Sequence, residues 1–215
     1  MSIKWASSIL TLGMFFVASN SVHGQEYASF FRTNEVTFGL GYAKSFETSP
    51  FNVPNDDAMP GALAINLAYR YSLDEFYSIG FHINGYAAKT GEYTLTSTGG
   101  GTNKTTFTLN AANIGINGRL SFSNGKLIPF AGVLVSYATG SIEGSGTGTL
   151  QYGGFSVGLE AGAAYMLGES WAISLEGLAS YGKANWKQQP FSNSNSTEFN
   201  PSMACILAGV SYYWD

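Results

Sequence analysis

The chain has 215 residues, 15% of them aromatic and only 11% charged, far less charge than a water-facing domain of this size carries. Its formal net charge of −4 comes without a basic patch and argues against nucleic acid as a partner. The single cysteine, Cys205, allows neither an internal disulfide nor a cysteine-based metal cluster.

The first residues read MSIKWASSILTLGMFFVASNSVHGQ. Lys4 precedes a short apolar run from Ile9 to Ala18, and Val22 and Gly24 suit the −3 and −1 positions of a cleavage site. Residues 1–24 are therefore expected to be a secretory signal peptide, because the apolar run is shorter than the ~20 residues of an anchor helix. Residues 25–32 follow as an N-terminal periplasmic segment, and a barrel domain is expected over 33–215.

From there the apolar residues alternate with period two, which marks strands. The first strand, Val36 to Ala43, carries Val36, Phe38, Leu40 and Tyr42 on one face. The second, Ala62 to Ser72, sets Leu63, Ile65, Leu67, Tyr69 and Tyr71 against Ala64, Asn66, Ala68 and Arg70. The third, Phe76 to Tyr86, sets Tyr77, Ile79, Phe81 and Ile83 against Ser78, Gly80, His82 and Asn84. The fourth runs from about Phe107 to Phe122, and its parity slips near Ala111 and Ala112, which predicts a bulge. The fifth, Leu127 to Tyr137, is apolar on both faces and leaves its parity open. The sixth reads FSVGLEAGAAYML from Phe155 to Leu167 and places Glu160 among small residues. The seventh, Trp171 to Tyr181, and the eighth, Met203 to Trp214, close the series.

The connections alternate in length. Three are tight, around Leu73-Asp74-Glu75, Ser123 to Lys126, and Gly168-Glu169-Ser170. Four read as long polar loops: Ser45 to Gly61, Ala87 to Thr106, Ala138 to Gly154 and Gly182 to Pro201. Such alternation is foreign to compact soluble domains and normal for an outer-membrane barrel with short periplasmic turns and long outer loops. The expected fold class is all-β: an eight-stranded antiparallel up-and-down transmembrane barrel.

In lipid the usual inside-out rule inverts. The bulky faces fit acyl chains, while the small polar faces fit the narrow interior of an eight-stranded barrel. Glu35, Arg70, Arg119, Glu160 and Glu176 share the small face and are expected to form a charged network that fills the lumen. Tyr69, Tyr71, Tyr77, Phe122, Trp171, Tyr212 and Trp214 lie near strand ends on the large faces, where an interfacial aromatic girdle is expected.

Three segments carry a family resemblance. KLIPFAGVLVSYA (Lys126 to Ala138), GGFSVGLEAGAAYML (Gly153 to Leu167) and ILAGVSYYWD (Ile206 to Asp215) resemble the fifth, sixth and closing strands of the small outer-membrane barrels. That group includes the OmpA transmembrane domain, OmpX and the broad outer membrane protein β-barrel domain. The resemblance implies residence in the outer membrane of a Gram-negative bacterium, amid lipid and lipopolysaccharide. It implies insertion by the barrel assembly machinery through the C-terminal strand, and a monomeric barrel. Here Asp215 follows the aromatic Trp214, a departure from the terminal aromatic that machinery prefers. The chain is expected to end at its barrel, without the peptidoglycan-binding domain of full-length OmpA proteins.

Catalytic patterns are weak. Gly154 to Gly158 matches G-x-S-x-G but lies in a strand rather than a strand–turn–helix elbow. Some small outer-membrane barrels modify lipids with a His–Ser pair, yet His82 has no adjacent serine nucleophile in sequence and faces the lumen by parity. Gly99 to Gly101 is a loop tip rather than a phosphate cradle. No metal or cofactor is expected, and the protein is expected not to be an enzyme. The polar stretches TSTGGGTNKTT (Thr96 to Thr106) and SNSNSTEFN (Ser192 to Asn200) are candidates for contact with a surface partner. The expectation is a structural or surface-interaction role in adhesion or envelope integrity. A narrow porin-like channel is the alternative, with a lipid-modifying enzyme or a soluble lipocalin-like carrier behind it.

Overall fold

The computed structural model describes residues 32–45, 61–89, 93–96, 102–105, 107–122, 125–144, 148–187 and 198–215. The expected signal peptide lies outside the described residues, as do 25–31 of the N-terminal segment and most of the expected loop tips.

Eight strands close on themselves: β1 (Asn34–Ser45), β2 (Ala62–Ser72), β3 (Tyr77–Lys89), β6 (Phe107–Ser121), β7 (Leu127–Gly144), β8 (Gly148–Met166), β9 (Trp171–Trp186) and β11 (Ser202–Trp214). Each is antiparallel to both neighbours, and β1 pairs with β11 to seal the wall. Three short pieces decorate one end: β4 (Tyr93–Thr96) pairs with β5 (Thr102–Thr105), and β10 (Glu198–Phe199) pairs alongside β9 at Ala184 and Asn185.

The tight turns have local causes. Asp74 Oδ1 accepts from the amides of Phe76 at 2.8 Å and Tyr77 at 2.7 Å, closing the β2–β3 turn. Gly125 adopts a φ of 64°, a left-handed backbone that favours glycine and lets β6 reverse into β7.

The cross-strand register sets the shape. Stepping around the wall from Glu35 through Arg70, Gly80, Asn117, Leu134, Gly158 and Ser180 arrives at Met203, whereas Glu35 itself pairs with Tyr213, ten residues further along β11. For eight strands, that stagger corresponds to a tilt of about 40°.

Side chains alternate strictly across the wall. Val36, Phe38, Leu40 and Tyr42 are exposed on β1, and Leu63, Ile65, Leu67, Tyr69 and Tyr71 on β2. Asn66, Arg70, His82, Asn84, Asn117 and Arg119 are buried in the lumen. On β7 the outward residues are Val133, Val135 and Tyr137, which fixes the parity the sequence leaves open.

Two expectations are corrected. There is no bulge near Ala111 and Ala112: β6 keeps an unbroken register with both β3 and β7. The sequence pattern shifts there because chemistry, not geometry, changes. Above this level Leu109 points inward and Asn110 outward. The same inversion continues β7 and β8 through the described part of the expected Ala138–Gly154 loop, which is paired as far as Gly144 and Gly148; 145–147 lie outside the described residues. The Ala87–Thr106 connection likewise contains the β4–β5 ladder.

Candidate functional site

The lumen is layered. At the tight-turn end, Phe130, Ala164, Met166 and Ala172 form an apolar plate, with Ile128 and Tyr213 against it. The five charged side chains come next, followed by the buried neutral polar side chains of Asn66, His82, Asn84, Ser136 and Ser156. At the opposite end a second apolar cluster, including Tyr86, Leu109, Ile142, Tyr152, Met203 and Leu207, fills the interior.

The structure brings Glu35, Arg70, Arg119, Glu160 and Glu176 into one network. Arg119 is its hub: Nε lies 2.8 Å from Glu160 Oε1, Nη2 lies 3.4 Å from Glu176 Oε2, and Nη1 lies 3.6 Å from Glu35 Oε1. Arg70 sits opposite, with Nη1 3.2 Å from Glu35 Oε1 and Nη2 3.6 Å from Glu160 Oε2. The Arg119 guanidinium also lies over the Phe130 ring, 3.7 Å from its centroid, so the plate and the ionic layer are in direct contact.

Neutral donors complete the arrangement. Glu35 Oε1 accepts from Thr37 at 2.7 Å, Ser211 at 3.1 Å and Tyr213 at 3.2 Å. Asn117 donates to Glu160 Oε1 at 3.2 Å. A charge taken out of water needs such density of partners. The wall makes room for it at Gly132, which pairs with both Arg119 and Glu160: a Cβ there would stand 2.7 Å from Glu160 Oε1 and 2.9 Å from its Cγ. Away from the hub, His82 Nε2 meets Ser136 Oγ at 2.9 Å. Among the described residues, no group of three or more His, Cys, Asp or Glu could hold a metal.

Parity alone does not reveal Thr37, Asn117, Phe130, Ser211 and Tyr213 as members of this site. All five share the inward face, and the missing information is the cross-strand register that brings them to one height.

On the outer wall, Tyr69, Tyr71, Tyr77, Phe122, Trp171 and Tyr212 are exposed around the tight-turn end. Trp171 packs on Tyr212 with centroids 4.8 Å apart, Tyr212 on Trp214 at 5.7 Å, and Trp214 on Tyr69 at 6.2 Å. Tyr69 donates its hydroxyl to Asn34 Oδ1 at 2.8 Å. A second set, Tyr42, Tyr137, Phe155 and Tyr181, stands outward toward the other end. Trp171 and Tyr181 are ten residues apart on β9, which at a rise of ~3.3 Å per residue and a tilt of ~40° separates the two sets by ~25 Å, the height of the apolar band of an outer-membrane barrel. Beyond it the outward residues are Lys44, Asn110, Glu143, Gln151, Lys183, Asn185 and Lys187.

Neisserial surface protein A matches this chain with a TM-score of 0.57 at 14% identity, covering 84% of this chain and 97% of that one. The outer membrane protein OprG from Pseudomonas aeruginosa matches at 0.49 and 11%, over 84% and 96% of the two chains. The N-terminal β-barrel domain of Pseudomonas aeruginosa OprF matches at 0.47 and 12%, over 84% and 97%. No family model matches the sequence, and no curated protein does. At such identities the likeness is one of fold: this chain is built as a small eight-stranded barrel of the outer-membrane type.

Proposed function

We propose that the protein is an integral outer-membrane barrel of a Gram-negative envelope with a structural or surface-contact role, and that its lumen is a structural core rather than a conduit. The observation that carries this reading is a lumen occupied along its length by an apolar plate, the ionic layer, buried neutral polar side chains such as Asn66, His82, Asn84, Ser136 and Ser156, and an upper apolar cluster, inside a wall whose outward face is apolar over ~25 Å. The two outward aromatic sets serve as interfacial girdles, with Tyr69, Tyr71, Tyr77, Phe122, Trp171, Tyr212 and Trp214 on the periplasmic side. Lipid and lipopolysaccharide surround the barrel, which works as a monomer inserted through β11 by the barrel assembly machinery. The paired walls of β7 and β8 continue above the apolar band and carry the loops outward, where adhesion or envelope contacts take place.

Cell fractionation with planar-bilayer recording tests the reading. The protein is expected in the outer-membrane fraction, to migrate on gels in a heat-modifiable way, and to show no resolvable conductance. Recovery as a detergent-free soluble monomer contradicts membrane residence. Steady single-channel currents contradict the closed lumen and favour the narrow channel.

A further inference from the structure

Two guanidiniums face three carboxyl groups in this buried layer, and the partners are shared unequally. Glu35 Oε1 lies within reach of Arg70, Arg119, Thr37, Ser211 and Tyr213. Glu160 receives Arg119 and Asn117 on Oε1 and faces Arg70 with Oε2. Glu176 has a single ion pair, to Arg119 at 3.4 Å through Oε2, and its carboxyl stands within hydrogen-bonding reach of the Glu160 carboxyl, a contact that needs a positive charge between the two; Oε1 is buried and receives no donor, on a side chain only 3% exposed. Asn117 Oδ1 is a second buried acceptor without a partner, and its amide is bound to the same Glu160 that Arg119 holds.

With all five groups ionised, the layer carries one surplus negative charge in surroundings where an uncompensated charge is expensive. The remaining titratable groups on the lumen face near it are His82 on β3 and Cys205 and Tyr213 on β11. His82 bonds Ser136 through Nε2, and its Nδ1 has no partner, so a doubly protonated ring would bury a bare N–H. Arg32 is committed outside the lumen, to Asp215 at 2.6 Å and Glu169 at 3.9 Å.

We propose that Glu176 Oε1 is the seat of one small positive guest, an alkali cation or a proton, that neutralises the third carboxyl. The site deepens the reading of the lumen as a closed core and rests on it for the scarcity of water there. In this account the guest is part of the folded state, so supplying it raises stability.

The test uses the refolded mature chain in detergent micelles, with unfolding followed by heat-modifiable migration. At constant ionic strength, sodium is replaced by the bulky cation N-methylglucamine, and separately pH is varied at fixed sodium. An alkali guest lowers the unfolding midpoint on replacement, whereas a proton guest leaves it unmoved by replacement but lowers it as pH rises. In either case Glu176→Gln, a neutral isostere, unfolds at or above the wild-type midpoint and abolishes the dependence. His82→Gln keeps it, and Glu160→Gln unfolds well below wild type. The inference is overturned when the dependence survives in Glu176→Gln, vanishes in His82→Gln, or is missing from the wild type, or when Glu176→Gln unfolds as early as Glu160→Gln. Because every arm reads folded protein in micelles, these failures are separate from a failure of membrane residence, which fractionation reads.

Discussion

The same strands obey opposite rules at two heights. Within the apolar band, β8 points Phe155, Val157 and Leu159 outward and Ser156 and Glu160 inward. Above it, β8 and its neighbours point Gln151, Glu143 and Asn110 outward and Tyr152, Ile142 and Leu109 inward. The lower part is a barrel for lipid and the upper part is a barrel for water, joined through a continuous hydrogen-bonded wall. Solvent, rather than backbone geometry, decides which chemistry each face carries.

Mutations sharpen the contrast. Removing the hub should have the largest effect: Arg119→Ala strands Glu160 and Glu176 without their strongest partner and is expected to cost about 3 to 5 kcal/mol, read as a lower denaturant midpoint of the refolded barrel. In the upper interior, Ile142→Ala opens a cavity in an apolar cluster and is expected to cost about 2 to 5 kcal/mol, where a water-filled upper lumen would register almost nothing. On the outside, Leu159→Arg is expected to cost about 2 to 4 kcal/mol in lipid bilayers. Gln151→Arg, eight residues away on the same face of the same strand, should be close to neutral; equal costs would erase the boundary between the two regions. The smallest effect belongs to Ser136→Ala, which removes the partner of His82 Nε2 and should cost about 1 kcal/mol without changing the spectra of the fold.

Much of the fold was legible because the lipid-height segments alternate in the simplest way: Leu63 to Tyr71 and Tyr77 to Ile83 read directly as wall. The upper segments were not legible as strands. Glycine, serine and threonine fill SIEGSGTGTLQYGG, and Ser141, Glu143, Thr149 and Gln151 lie on the face that carries bulky apolar residues lower down, so an inverted strand looks like a loop. The same inversion made β6 look bulged at Ala111. For the lumen, parity gathers the five charged residues on one face but says nothing about height. Glu35 and Glu160 come together because the register climbs ten residues in one circuit, a property of pairing that no single strand carries. The second aromatic set was missed for a related reason: Tyr137, Phe155 and Tyr181 mark a boundary only once the strands are known to continue past them.

The central claim is decided most directly along β9. Single cysteines placed from Ile173 to Lys187 in a Cys205→Ala background, labelled with a fluorophore in bilayers, would be quenched by brominated acyl chains or by a water-soluble quencher. Lipid quenching is predicted at 173, 175, 177, 179 and 181, water quenching at 183, 185 and 187, and protection from both at 176 and 178. Lipid quenching at 176 and 178, or water quenching at 175 and 179, would show the barrel turned inside out and contradict the account.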